Sequence, residues 1–469
     1  MNEYIGSNAK VNKNPLATMP VNRLMLKMGI PMILSMMLQA FYNIVDSAFV
    51  SNMKSGGELA LNALTLAFPV QILMIAFAIG TGVGVNVFVS RTLGQGNTEK
   101  AGKIAGNGIF LVSTLFIIFM LFGFFCVDFY VQTQTVNSEI IVLTSDYLKI
   151  CCIFSFSSFY FGIFEKLLQS TGLSLFSTIA QILGAVINII LDPIMIYGLL
   201  GFPELGIKGA AIATVIGQTV SFFAALFFHF KKNRVIPFKI GFLKPNFRLI
   251  AVIYSIGFPA IISQALMSLM TYGLNIIFGG LREEVVTAYG LYYKIQQFLL
   301  FAAFGLRDAI MPIVAFNFGM KNQERVSHGI KYGIFYTVFI MIAGTLIFES
   351  FAAPFARIFG LSGKTEELCV SAIRIISLCF VFAGANIAFQ GVFQALGDGL
   401  ASLIISILRQ FLLVLPVAFI LTKIIAQTQR NEGLVWWTFV FAETLSLATA
   451  IVMFKRQGFH IRNVFGIRI

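Results

Sequence analysis

Apolar stretches broken by short polar connectors run from the first fifty residues of the chain to the last fifty. A bilayer core about 30 Å thick needs roughly 20 mainly apolar helical residues to cross it. About twelve stretches qualify: 24–48, 60–86, 104–132, 144–169, 174–200, 209–230, 249–277, 287–317, 330–354, 369–395, 401–424 and 434–454. The pattern predicts an all-α polytopic membrane protein with about 12 transmembrane helices. Its longest basic connector divides the spans six and six. The chain therefore reads as an amino-terminal tail (1–23), a first six-helix bundle (24–230), a basic linker (231–248), a second six-helix bundle (249–454) and a carboxyl tail (455–469). The first stretch is long for a signal peptide and lacks a small-residue cleavage site, so it is expected to persist as a helix.

Composition agrees with a membrane protein. Of 469 residues, 58% are hydrophobic and 11% charged, less than half the charge of a typical soluble chain. The net charge of +13 does not point to nucleic acid, because most Lys and Arg lie in short connectors. One alternate set of connectors and tails carries 20 of them and the other 7. Cytoplasmic segments retain positive charge, so both termini are expected in the cytoplasm and the chain in the cell (inner) membrane. The five cysteines are scattered and odd in number, and His229, His328 and His460 show no ligand spacing. No GxxxxGK[ST] phosphate loop is present. Neither an enzyme nor an ATP-driven pump is expected, and no cofactor is implied.

The two halves repeat. Gly29-Ile30-Pro31 returns as Gly257-Phe258-Pro259, a shift of 228. Gly94, Asn97 and Glu99 return as Gly319, Asn322 and Glu324, and Gln169 with Gly172 as Gln394 with Gly397, both at 225. Six spans per half place both halves in the membrane in the same direction, so a pseudo-twofold axis along the membrane normal is expected. Facing bundles of this kind suit alternating access.

Charges in hydrocarbon cost about 2.5–3.5 kcal/mol each on insertion scales, so those that persist need a partner, water or a function. Asp46 and Asp192 both fall in the outer part of the first bundle under this topology. Asn188 lies one helical turn before Asp192, and Pro193 leaves the Ile189 carbonyl without its helical donor. Two carboxylates, an amide and a freed carbonyl suit a proton or a sodium ion. Thr214, in a small-residue segment at similar depth, is either a further oxygen ligand or bonded within its own helix. Pro31 and Pro193 are expected to bend their helices. By the repeat, Asp46 maps to Leu274 and Asp192 to Leu415, so ion coupling is expected in the first bundle alone. Glu165 and Lys166 read as a gate or as an interfacial pair with a snorkelling lysine, and Arg307 with Asp308 as a neutralised pair. Glu443 is the second-bundle candidate for contacting a cationic substrate. Gln39, Tyr42, Asn43, Tyr272 and Tyr292 are further candidates for a cavity or gate, although ordinary helix packing accounts for aromatic residues equally well.

Asn14-Pro15-Leu16, Gly29-Ile30-Pro31, Asn43-Ile44-Val45-Asp46, Gly94-Gln95-Gly96-Asn97, Gln169-Ser170-Thr171-Gly172, Asn188-Ile189-Ile190-Leu191-Asp192-Pro193 and Gly206-Ile207-Lys208-Gly209-Ala210-Ala211-Ile212-Ala213-Thr214 together resemble the multidrug and toxic compound extrusion (MATE) family, over essentially the whole chain. The resemblance is to the prokaryotic branch with an acidic pair in the first lobe. It implies a V-shaped pair of six-helix bundles exporting small amphipathic or cationic compounds by antiport with H+ or Na+, as a monomer, with Asp46, Asn188, Asp192 and Thr214 at the cation site. The acidic residue that other branches place in the seventh span is missing, with Thr271 and Leu274 in that region. A lipid-linked precursor flippase of related architecture and an integral-membrane lipid-modifying enzyme are the competing expectations.

Overall fold

A computed structural model describes residues 14–53, 56–358, 363–428 and 431–464, with the side chains of Asn43, Ile358 and 458–464 outside the description. Fifteen helices are named here: α1 Val21–Ser51, α2 Gly57–Gly94, α3 Thr98–Phe125, α4 Ser138–Ile153, α5 Phe156–Gln169, α6 Ser174–Tyr197, α7 Ile207–Lys232, α8 Phe247–Gly279, α9 Glu283–Gly319, α10 Gln323–Ser350, α11 Gly363–Ser377, α12 Phe380–Leu396, α13 Gly399–Ile407, α14 Val414–Thr428 and α15 Trp437–Val464. Ten stretches are long and apolar enough to cross a membrane as single spans, with α13 and α14 joined as one by a π-helical turn over Leu408–Leu412. Two further spans are bent pairs, α4 with α5 at 46° and α11 with α12 at 53°, giving up to 12.

The repeated residues punctuate these helices. Asn97 and Asn322 cap α3 and α10, each side chain accepting from the backbone N–H three residues on, at 2.9 and 3.0 Å. Gly172 and Gly397 follow the bent spans with φ of +84° and +92°, where a Cβ would be strained. Pro31 and Pro193 lie inside helices that continue through them, whereas the two sharp breaks fall next to Phe154 and Leu378, where no proline stands.

The chain forms two compact units that do not divide at the basic connector. Of the described residues, those within 14–19 and 34–261 form the first, and those within 20–33 and 262–464 the second. The start of α8 thus belongs to the first unit and the start of α1 to the second. Glycines make this packing close. A Cβ at Gly80 would lie 2.6 Å from the Gly257 carbonyl oxygen, and one at Gly305 2.7 Å from the Ile33 Cα. Positions 80 and 305 are themselves repeat partners, so the same small residue admits the same element in each unit.

Candidate functional site

In the first unit a polar stripe runs down α6. Gln181, Asn188 and Asp192 stand two and three turns apart on one face, and all are buried. Gly184, on the same helix, brings α7 within reach: a Cβ there would meet the Gly217 carbonyl oxygen at 2.4 Å. Ser35 of α1 donates to Gln181 Oε1 at 2.9 Å. Near the other end of the stripe, the Tyr197 hydroxyl donates to the Phe49 carbonyl at 2.7 Å, tying α6 to α1 one turn beyond Asp46.

Asn188 Nδ2 donates to Asp192 Oδ1 at 3.1 Å, and Asp192 is fully buried. Asp46 lies within electrostatic range of Asp192. Asp46 Oδ1, Asn188 Oδ1 and Asp192 Oδ2 are all buried and accept no hydrogen bond among the described residues. Buried oxygens ordinarily have partners. Oxygens left over on two carboxylates and an amide have the chemistry that suits a small hard cation, or protons on the carboxylates.

A cavity of about 120 Å³ adjoins this cluster, and Gln39, Tyr42, Glu165, Asn188 and Thr214 are among its lining residues. Its volume is well below the 300–1,000 Å³ of a drug-sized ligand pocket, so it suits ions and water. At its wall, Lys166 Nζ donates to Gln169 Oε1 and Gln169 Nε2 to Glu165 Oε1, both at 3.0 Å. Lys166 is 3% exposed, which places its ammonium inside the unit instead of reaching out to an interface. The side chain of Asn43 lies outside the described residues.

The second unit has different chemistry at the matching positions. Leu274 is fully buried in an apolar cluster with Phe278 and Tyr289, and Leu415 packs against the same cluster. Tyr292 is fully buried, its hydroxyl bonded to Gln296. Tyr272 is 67% exposed and lines none of the cavities described here. Asp308 is paired with Arg307 at 2.8 Å. Glu443 is not a free anion: Arg409 Nη2 and Nε reach its carboxylate at 2.6 and 2.9 Å, and Asn386 Nδ2 donates to it at 2.8 Å. Arg409 stands in the π-helical turn, a local geometry no sequence pattern announces. The Asn188 and Asp192 pair was legible from spacing, whereas Gln181, which extends it and meets Ser35, was not singled out; the Lys166 relay and the Arg409 partnership join residues whose contact depends on tertiary packing.

The chain resembles solved and curated transporters along nearly its whole length. A multidrug export protein MepA of Staphylococcus saprophyticus is 25% identical over 429 residues, covering 92% of each chain. One from Staphylococcus aureus is 26% identical over 438 residues, covering 93% of this chain and 94% of its own. The fold matches a multidrug resistance MATE family transporter solved in an outward-facing conformation, with a TM-score of 0.87 at 23% identity, over 97% of this chain and 98% of that one. The MatE family profile matches twice, over residues 31–194 and 259–420, and the two matches begin at repeat partners, Pro31 and Pro259. With both halves matched and the spans and paired units in place, the chain belongs to the MatE family and is a multi-pass membrane transporter, not an enzyme.

Proposed function

We propose that the protein is a multidrug efflux antiporter of the cell membrane. It exports small amphipathic or cationic compounds in exchange for H+ or Na+, acting as a monomer with both termini cytoplasmic. The observation that carries the coupling site is the set of three unsatisfied buried oxygens on Asp46, Asn188 and Asp192. Thr214, on the wall of the adjoining cavity, supplies a further oxygen nearby.

Antiport requires the ion and the drug to prefer opposite states, since a ligand shifts an equilibrium only by its differential affinity. Two neighbouring carboxylates repel when both are ionised. Binding a proton or sodium from outside relieves that repulsion and lets α6 pack against α1, which favours drug release outward. Loss of the ion inward restores the repulsion and the drug-accepting state. Charge on the substrate is met outside the Glu443 pocket, because that carboxylate is already neutralised.

The test is efflux of ethidium from vesicles under separately imposed proton and sodium gradients. Asp46→Asn or Asp192→Asn removes one charged ligand, worth about 1.5–3 kcal/mol or roughly 10- to 100-fold in ion affinity. Gradient-driven efflux should fall accordingly in both variants and identify the ion. Wild-type-like coupled efflux in both would remove this site from the mechanism.

A further inference from the structure

The connector between the halves is clamped to the first unit. A Cβ at Gly102 of α3 would lie 2.6 Å from the Pro237 carbonyl oxygen, and one at Gly106 2.3 Å from that of Phe242. Asn107 Nδ2 donates to the Phe242 and Lys244 carbonyls at 3.4 Å, and its Oδ1 accepts from the Asn246 N–H at 2.8 Å. Lys103 and Lys239 lie over the buried Phe242 ring at 6.0 and 5.8 Å. The connector's cations are therefore held beside those of α2 and α3.

Between them is a cavity of about 470 Å³, whose lining includes Arg91, Lys100, Lys103 and Arg248. Glu99, the neighbouring acid, pairs with Lys103 at 2.8 Å. Lys100 and Arg248 are exposed and enter no ion pair among the described residues. The lining also includes apolar side chains, those of Phe88, Ile104, Leu249 and Val252. The neighbouring Phe247 is 83% exposed.

We infer that this cavity binds an anionic glycerophospholipid, its phosphate held by Lys100, Arg248 and their basic neighbours and an acyl chain lying along the apolar lining residues Phe88, Leu249 and Val252. Cations in such pockets at helix ends suit phosphate, and arginine binds it in a planar fork. An inorganic phosphate ion shares the anionic chemistry, but it has no use for the apolar side chains of the lining. The site is separate from the coupling cluster on α1 and α6, so it stands or falls independently of the proposed antiport.

The experiment is native mass spectrometry of the full-length protein in detergent, titrated with phosphatidylglycerol or phosphatidylcholine. Wild type should retain phosphatidylglycerol preferentially. The K100Q/R248Q variant should lose one bound phosphatidylglycerol, with an apparent Kd raised about 10- to 30-fold. K455Q/R456Q removes two exposed charges from α15 and should bind as wild type; a wild-type size-exclusion profile and thermal unfolding midpoint in detergent confirm that both variants fold. Equal retention of the two lipids, unchanged binding in K100Q/R248Q, or an equal loss in K455Q/R456Q overturns the site. Displacement of the lipid by millimolar inorganic phosphate overturns the lipid assignment and makes a soluble anion the ligand.

Discussion

Replacing Glu443 by Leu strands the Arg409 guanidinium in the interior of the second unit. The two side chains are 8% and 14% exposed, and Arg409 makes three close contacts to the carboxylate, at 2.6, 2.9 and 3.0 Å. Removing one member of a buried pair costs about 3–5 kcal/mol, because the charge left behind has lost both water and its partner. Arg409→Met leaves the converse defect, an anion held among the described residues by Asn386 alone. Removing both charges in R409M/E443L abolishes the uncompensated charge, and a buried pair replaced by apolar residues is often close to neutral. The double variant should therefore be more stable than either single one, with a coupling energy of about 2 kcal/mol or more, allowing that unfolded membrane chains also find polar partners. Thermal unfolding of the detergent-purified full-length protein, read by the fraction remaining monodisperse, measures all four species. Destabilisation in the double variant equal to the sum of the single effects would refute the pairing argument and return Glu443 to the status of an independent anion.

Further perturbations probe the packing around the sites. Gly84→Val places a Cβ 2.2 Å from the Ile253 carbonyl oxygen, a backbone atom that cannot rotate away; overpacking of 1–3 kcal/mol or more is expected, read as lost folded yield. Leu274→Asp puts a carboxylate into the fully buried apolar cluster, so the protein should fail to accumulate and no second ion site should arise. Asn107→Ala removes the anchor of the connector, and trypsin should cleave at Lys239 or Lys244 several-fold faster than in wild type, with little loss of global stability. Asn188→Leu deletes the donor to Asp192 and one unsatisfied oxygen; ion-coupled efflux should weaken by about tenfold while folding is retained.

Much of this protein was legible in its linear pattern, because a bilayer permits few backbone solutions. Helices must be long and apolar, so their number and approximate extent follow from the positions of the apolar runs. The repeat landmarks are legible for a related reason: Asn97 and Asn322 cap helices, and Gly172 and Gly397 take a left-handed turn, all local requirements that a residue meets by itself. The stripe of Asn188 and Asp192 follows from helical spacing. Three things required tertiary structure. Partners distant in sequence meet only after packing, which is why Glu443 reads as a free acid until Arg409, 34 residues away, folds against it. Lys166 at a span end suggests an interfacial cation, yet the packing of α5 buries it. The assignment of the first turns of α1 and α8 to opposite units depends on whether a facing glycine leaves room for a backbone, and that complementarity between surfaces is absent from either helix alone.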